Sequence, residues 1–247
     1  MTVAETREDR DVKLIAELRQ RLAGDRRLAG GLTLARFRRE PDGLLLIEGD
    51  VDRVAQKKIA LEIAAAHPDV PGIVDRLRVR PAETMSDSGI RSHLRKIFAS
   101  DVTLQGLSVD EVLGGWTDTI LNISEPTGNI SYEVADGVVT LNGRVSDLAV
   151  KRYVGVLAWW VPGTRDVING IVAASDEADG PDRIADAVRV VLEKDPFVDA
   201  SQIKVGVRGR VVRLTGFLRA EAERQMAEND AWYVFGVDDV INEITVQ

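Results

Sequence analysis

The stretch Gly137-Val-Val-Thr-Leu-Asn-Gly-Arg-Val145 decides the fold, because the chain contains the same pattern three times. The other two copies are Gly43-Leu-Leu-Leu-Ile-Glu-Gly-Asp-Val51 and Arg210-Val-Val-Arg-Leu-Thr-Gly-Phe-Leu218. In each copy apolar residues recur along a short run, which indicates a β-strand, and a glycine stands at the seventh position. Since a helical pattern follows every copy, we interpret the stretch as one part of a repeated unit.

A second apolar run follows each pattern at a fixed distance, because 26 positions always separate the glycine from an Asp or Asn inside that run. We expect the glycines to permit a close backbone approach or a positive φ angle at the corner between strand and helix. The Asp and Asn side chains are predicted to hydrogen-bond local backbone at the start of the last strand. The pairs are Gly49 with Asp75, Gly143 with Asn169, and Gly216 with Asn242.

The order of these patterns predicts an α+β fold built from three tandem α-β-β-α-β units. An amphipathic helix opens each unit, two strands joined by a tight turn follow, and a second helix precedes the last strand. Each unit is expected to form a small three-stranded sheet with both helices on one face. The predicted domains cover residues 11–80, 88–174 and 181–247, and polar linkers containing Gly and Pro separate them.

The second unit is longer than the other two. From Asp101, after its first helix, to Gly143 the chain runs 42 residues, against 24 and 21 residues between the equivalent positions of the other units. The insertion therefore lies near residues 102–129. Ser108–Glu111 has the spacing of a helix capping box, and Gly114-Gly115-Trp116 follows it. We predict a short helical turn and an extended stretch beside the sheet.

Charge and cysteine content exclude some classes of function. The net charge of −8 argues against a nucleic-acid partner, because such proteins carry a basic surface. Cysteine is absent, which excludes disulfides and thiolate metal sites. Residues 1–80 carry +2 (16 basic, 14 acidic), residues 81–175 carry −4 (7 and 11), and residues 176–247 carry −6 (9 and 15). An anionic partner therefore fits the first unit best.

The sequence contains no targeting segment and no catalytic motif that we recognise. The N-terminal residues lack the apolar stretch of a secretory signal, and no run approaches the ~18 apolar residues that span a bilayer. We therefore expect a soluble, cytoplasmic protein, with peripheral membrane association left open. The two histidines, His67 and His93, lie in different units, and no nucleophile elbow or P-loop is present. We expect no enzymatic activity, no cofactor and no metal.

The repeated pattern resembles the BON-domain family. The glycine-ended strands and the closing strand Val237-Asp-Asp-Val-Ile-Asn-Glu-Ile-Thr-Val246 carry the resemblance, which covers Asp11–Gln247 as three copies. It implies a bacterial protein that binds or organises partners without catalysis. Members of the family are associated with phospholipid surfaces, envelope maintenance and osmotic stress, and a cytoplasmic relative binds potassium.

Tryptophans are the first candidates for a binding surface. When the units are aligned on their glycines, Trp159 and Trp232 are equivalent and are predicted to lie on a polar flank of the second helix. Trp160 and Tyr233 are predicted to belong to the core face of that helix. Trp116, in the insertion, is a third candidate. Such an indole either covers the seam between neighbouring units or docks on a protein or membrane interface.

Basic residues of the first unit are candidates for contact with anionic lipid headgroups. Acidic residues interrupt them, so an ordinary solvated surface is the alternative. The leading candidates are Arg26, Arg27, Lys57 and Lys58, within a wider set that includes Arg19, Arg21, Arg36, Arg38 and Arg39.

Two hypotheses about function follow. The first is a non-enzymatic binding or scaffolding protein of bacterial stress response or envelope maintenance, with anionic phospholipid or a membrane-associated protein as its partner. The alternative is a cytoplasmic sensor of potassium or another small ligand, since potassium bound by backbone carbonyls leaves no trace in the side chains. Homo-oligomer formation through the seams between units is also left open.

Overall fold

A computed structural model describes residues 6–174 and 179–247. The predicted linker between the second and third units lies partly outside these residues, at positions 175–178. The chain divides into two compact units, the N-terminal unit up to Arg80 and the C-terminal unit from Pro81 onward. The predicted α+β class is confirmed, because the helices of the described residues accompany three small mixed sheets.

The N-terminal unit has the element order α-β-β-α-β. Its elements are α1 (Arg7–Gly24), β1 (Leu32–Arg39), β2 (Leu45–Val51), α2 (Val54–Ala65) and β3 (Ile73–Val79). Helix α1 begins where the side chain of Thr6 accepts a hydrogen bond from the backbone N–H of Asp9. Strand β2 lies in the centre of the sheet, antiparallel to β1 and parallel to β3. Its buried Ile47 and Val51 form part of the core with Leu18 of α1.

The C-terminal unit consists of a middle segment (residues 87–173) and a final segment (residues 181–246). The middle segment contains α3 (Asp87–Ser100), β4 (Leu107–Leu113), β5 (Trp116–Leu121), β6 (Gly128–Ala135), β7 (Val138–Val145), α4 (Leu148–Trp159), β8 (Asp166–Asn169) and β9 (Val172–Ala173). The final segment contains α5 (Pro181–Lys194), β10 (Ile203–Arg208), β11 (Val211–Leu218), α6 (Glu221–Tyr233) and β12 (Asp239–Val246). It forms a three-stranded sheet with the same antiparallel and parallel pairings as the N-terminal unit.

The insertion of the middle segment forms a β-hairpin. The capping-box stretch Ser108–Glu111 lies in strand β4 and starts no helix, and the helical turn in the predicted range is the 3-10 helix Val102–Leu104. Strands β4 and β5 pair antiparallel, and Gly114 and Gly115 form the two-residue turn between them with φ angles of +51° and +96°. The hairpin joins β6 through a parallel pairing of β4, so this sheet has six strands and not the three expected. In the sequence, Glu111 has the spacing from Ser108 that is typical of a helix capping box. In the structure it is a buried strand residue that pairs with Arg91 and Arg95 of α3.

The glycine of each repeated pattern lies inside a strand, where the neighbouring backbone comes very close. A Cβ atom at Gly49, Gly143 or Gly216 would lie 2.0–2.1 Å from a backbone carbonyl oxygen, which belongs to the antiparallel strand or, at Gly216, to the residue just before that strand. Gly143 and Gly216 also have φ angles of +130° and +141°. Only glycine fits this arrangement, because any side chain would displace backbone atoms. The oxygens belong to Thr33, Asn129 and Gln202, respectively.

The Asp or Asn of the closing strand joins that strand to the second helix. The side chain of Asn169 donates to the carbonyl of Lys151 (2.9 Å) and accepts from the N–H of Ile171 (3.2 Å). Asn242 makes the equivalent bonds to the carbonyl of Arg224 and the N–H of Ile244. These side chains therefore fix the closing strand against the helix before it.

Candidate functional site

A groove between α1 and β1 combines apolar and basic side chains in the N-terminal unit. Val12, Ile15 and Ala16 lie along its floor, Arg19 and Arg38 lie at its rim, and its volume is about 610 Å³. Val12 is 66% exposed, which is unusual for a valine within a helix that buries Leu14 and Leu18 on its other face. Helix α1 therefore has a second apolar stripe that faces the groove.

The two rim arginines are held in place and remain accessible. The guanidinium of Arg19 lies over the ring of Phe37, 5.5 Å from its centroid. Arg38 forms an exposed ion pair with Glu40 at 3.1 Å. An exposed pair of this kind contributes little to stability, so its arginine exchanges partners readily. The rim is therefore suited to an anionic group.

Arg39 also lines the groove but has a structural role. Its guanidinium binds the carboxylate of Asp11 and donates to the carbonyls of Gly43 and Asp69. These three contacts tie β1 to α1, to the turn after β1 and to the chain that follows α2. Glu8 and Asp11 make this end of the groove acidic, so the opposite end of α1, at Arg19, is the one that attracts an anion.

The structure separates the four basic residues that the sequence grouped together. Arg26 and Arg27 are exposed, and Arg27 is bonded to Asp25 at 2.8 Å. Lys58 is half-buried. The prediction that Lys57 lies on a binding surface is wrong, because its side chain is buried, with 7% of the residue exposed.

Lys57 instead neutralises the motif aspartate of the N-terminal unit. Its ammonium lies 2.8 Å from a carboxylate oxygen of Asp75 and donates to the carbonyl of Leu77 at 2.9 Å. Asp75 also accepts from the N–H of Leu77. An ion pair thus takes the place of the bond that Asn169 and Asn242 donate to the helix carbonyl, and burial of Lys57 makes this pair part of the framework.

Trp116 is the candidate that the structure places on an open surface. It is 60% exposed and lies directly after the two-glycine turn of the β4–β5 hairpin, paired with Leu113. The hairpin body is anchored to α3 through Arg95, which binds both Glu111 and Asp118. The indole is therefore presented at the tip of a fixed element.

Trp159 lies at the seam between the middle and final segments. Its ring stacks on the ring of Tyr233, with centroids 5.6 Å apart and an interplanar angle of 9°. The prediction that Trp232 lies on a polar flank is wrong, because Trp232 is 3% exposed and belongs to the core. Tyr233, assigned to the core face, is half-buried and takes the seam position.

Two buried charged residues reinforce this seam. Arg152 of α4, 1% exposed, donates from Nε to the carbonyl of Phe235 (2.7 Å) and binds Asp179 (2.6 Å). The indole N–H of Trp160 donates to Asp230 of α6 at 2.8 Å. We refer to the contacts among α4, α5 and α6 as the helix seam. It joins the two segments into one compact unit.

Asp230 is the residue of the helix seam whose pKa departs furthest from its ordinary value. It is 2% exposed, and burial raises the pKa of its carboxyl to about 8. The indole N–H of Trp160 opposes this rise in pKa, and the neighbouring Asp195 carboxyl adds to it. Sequence reasoning missed this residue. The available signal is its position on the buried stripe of α6, three residues after Ala227 and next to Ala231.

Neither a metal site nor a membrane-spanning helix is found among the described residues. No group of three or more His, Asp or Glu side chains in residues 6–174 and 179–247 is arranged to hold a metal ion. Across the same ranges, no helix combines the length and apolar character needed to cross a bilayer.

Comparison with known proteins identifies a domain family in two parts of the chain. Residues 121–175 and 181–247 match the BON domain. These matches begin within β5 and include β6 to β9, and then cover all of the final segment. The BON domain is associated with phospholipid or membrane-protein binding.

The other comparisons yield only distant likenesses. Two structures of CdsD, a structural protein of the type III secretion system of Chlamydia trachomatis, were matched. The C-terminal domain of CdsD is 12% identical, with 99% of this chain and 100% of that chain covered and a TM-score of 0.24. The second CdsD structure is 13% identical, with coverages of 96% and 91% and a TM-score of 0.25. Such low TM-scores support no argument. No curated protein matches the chain.

Proposed function

We propose that this protein is a non-enzymatic binding module that docks on membranes containing anionic phospholipid, or on a membrane-associated protein, in bacterial stress response or envelope maintenance. The BON domain matches support a phospholipid or membrane partner. The observation that carries the lipid version is the groove between α1 and β1, where an apolar floor meets accessible arginines.

The chemistry of the groove fits an anionic amphiphile. Arg19 and Arg38 attract a phosphate or carboxylate headgroup, and each basic residue near an anionic membrane surface contributes about 1 kcal/mol. Contact of Val12 and Ile15 with lipid is favourable by roughly 25 cal/mol for each Å² of their apolar surface that is removed from water. These contributions are small, so the binding is peripheral, reversible and sensitive to salt.

Vesicle flotation tests the proposal directly. The full chain is mixed with vesicles of phosphatidylcholine alone or with added phosphatidylserine, at low and at high salt. Wild-type protein is expected to float only with the anionic vesicles at low salt. Protein that stays at the bottom of that gradient would rule out the lipid version and leave a membrane-associated protein as the partner.

Variants of the groove locate the binding surface. The double variant Arg19→Gln/Arg38→Gln and the exposed-site variant Val12→Ser are both expected to reduce flotation. Arg21→Gln/Arg26→Gln is the matched control, because both are exposed arginines of the same unit that do not line the groove and two charges are again removed. Equal loss of flotation in the control would show that general charge, and not the groove, binds the vesicle.

We also propose that the N-terminal unit is a third BON-like copy, although the family match does not include it. The shared element order, the close approach at Gly49 and the position of Asp75 support this assignment. Because the N-terminal unit is compact, an isolated fragment of residues 1–80 is expected to unfold cooperatively in urea. A gradual, non-cooperative transition would contradict this expectation.

A further inference from the structure

Asp230 lies inside the helix seam with one carboxylate oxygen unpaired. Its Oδ1 accepts the indole N–H of Trp160, but Oδ2 has no hydrogen-bond partner despite being buried. Asp195, at the end of α5, is also buried and adds a second carboxyl to the same place. One oxygen of Asp195 already accepts the N–H of Phe197 at 2.8 Å. A buried, unpaired carboxylate beside another carboxylate is costly, whereas a protonated carboxyl supplies a donor for that contact.

We propose that Asp195 and Asp230 form a proton-binding site where the end of α5 meets α6, next to Trp160 of α4, and that loss of the proton loosens the helix seam because two buried carboxylates then repel each other. This role is separate from the lipid groove, which lies in the N-terminal unit. The loosened state would expose the stacked faces of Trp159 and Tyr233. The seam would thus convert a change of pH into a change of exposed aromatic surface.

The groups around the site explain why the proton stays on the carboxyl pair. Helix α4 contributes the neutral indole of Trp160, and α5 contributes the Asp195 carboxyl. Helix α6 contributes the Tyr233 hydroxyl, and burial, followed by the charge of Asp230, raises the pKa of that hydroxyl to about 12, so it stays neutral.

The nearby cations have other partners. Arg152 of α4 binds Phe235 and Asp179. Lys151 lies 4.7 Å from the ring centroid of Phe235, and Lys194 of α5 lies 5.9 Å from that of Tyr153. With these cations occupied elsewhere, a proton is the available counter-charge for the pair.

The direction of the pH effect follows from linkage. The folded state raises the pKa of Asp230 from 3.8 to about 8, so the folded protein holds more protons than the unfolded chain between these values. The stability that the folded protein gains from protonation of Asp230 is therefore fully present below about pH 4 and is lost as the pH rises through about 8.

The test is urea unfolding of the full chain between pH 6 and pH 9.5, followed by tryptophan fluorescence. For wild-type protein, the folding equilibrium constant is expected to fall at least about tenfold from pH 6 to pH 9. Asp230→Asn keeps an acceptor for Trp160 and adds a permanent donor, so it is expected to flatten this dependence. The proposal would be overturned if the wild-type equilibrium constant did not fall over this pH range. It would also be overturned if Asp230→Asn showed the same fall as the wild type.

Two further variants make the test specific. Glu221→Gln, on an exposed carboxylate of the same helix, is the control and is expected to keep the wild-type profile. Asp195→Asn removes the carboxyl–carboxyl repulsion, so the midpoint of the pH dependence is expected to move to lower pH. If Asp230→Asn does not fold, the absence of this shift in Asp195→Asn would reject the shared site by itself.

Discussion

The indole of Trp159 lies nearly parallel to the ring of Tyr233, and the two residues come from different segments of the C-terminal unit. Their positions in the second helices are filled by Ala65 and Ala66 in the N-terminal unit, which forms a compact unit of its own. These large aromatic side chains are thus found where the middle and final segments pack together. The stack is accordingly a contact that joins segments.

Loss of this stack should weaken the packing between the middle and final segments. Trp159→Ala and Tyr233→Ala are each expected to lower the free energy of unfolding by about 2 kcal/mol, since both side chains are half-buried. A double-mutant cycle should give a coupling of about 0.5–1.5 kcal/mol for the aromatic pair. The control is Trp116→Ala, on the exposed hairpin tip, with an expected change below about 0.5 kcal/mol. Strict additivity of the two seam variants would contradict the role given to the stack.

The alternation of apolar residues and the spacing from glycine to Asn were enough to predict most elements. The second helix that was predicted before each closing strand is observed in all three places, as α2, α4 and α6. These signals are local, because each one depends on a single strand or helix and the face it buries. The seam depends instead on which flank of a helix meets a neighbour, and periodicity carries no information about that choice. For this reason the sequence predicted Trp232 on the flank and Tyr233 in the core, whereas the structure buries Trp232 and places Tyr233 at the seam.

The errors at Glu111 and Lys57 have a related cause. Glu111 was predicted to belong to a helix capping box and Lys57 to a binding surface, and both are buried against an opposite charge from another element of the chain. A buried ion pair of this kind is recognised only when both partners are brought together by the fold. The groove at Val12 was missed because its second wall, β1, comes from another element.

The motif glycines should tolerate no side chain. Gly143→Ala and Gly216→Ala place a Cβ atom about 2 Å from a backbone oxygen at a positive φ angle. Each is expected to cost at least about 2 kcal/mol in the free energy of unfolding, measured in urea. Gly206→Ala is the matched control, since a Cβ at this strand glycine meets nothing within 4 Å. A loss in Gly206→Ala as large as in the motif variants would show that strand glycines matter for another reason.

Removal of Asp75 alone from the Lys57–Asp75 ion pair should destabilise the protein more than removal of both charges. Asp75→Asn leaves a buried ammonium without its charge partner and is expected to cost about 3 kcal/mol. Adding Lys57→Met should recover part of this loss, because the buried charge is then removed. Glu243→Gln, in the exposed pair with Arg213, provides the comparison and should cost less than about 1 kcal/mol. Thermal or urea unfolding measures all of these variants, and failure of Lys57→Met to recover stability would contradict the burial argument.

The turn of the β4–β5 hairpin should accept asparagine at its first position and reject a branched residue. Gly114 and Gly115 have the two positive φ angles of a type I′ turn, for which Asn-Gly is the preferred pair. Gly114→Asn adopts this conformation with little strain and restricts the unfolded chain, so stability is expected to rise by about 0.5 kcal/mol. Gly114→Val must adopt the same left-handed conformation with a β-branched side chain and should lose at least about 1 kcal/mol in the free energy of unfolding.

Because a Cβ at Gly114 meets no atom within 4 Å, any difference between the two variants reports backbone conformation and not crowding. Equal stabilities in urea would mean that this turn does not hold the two positive φ angles in solution.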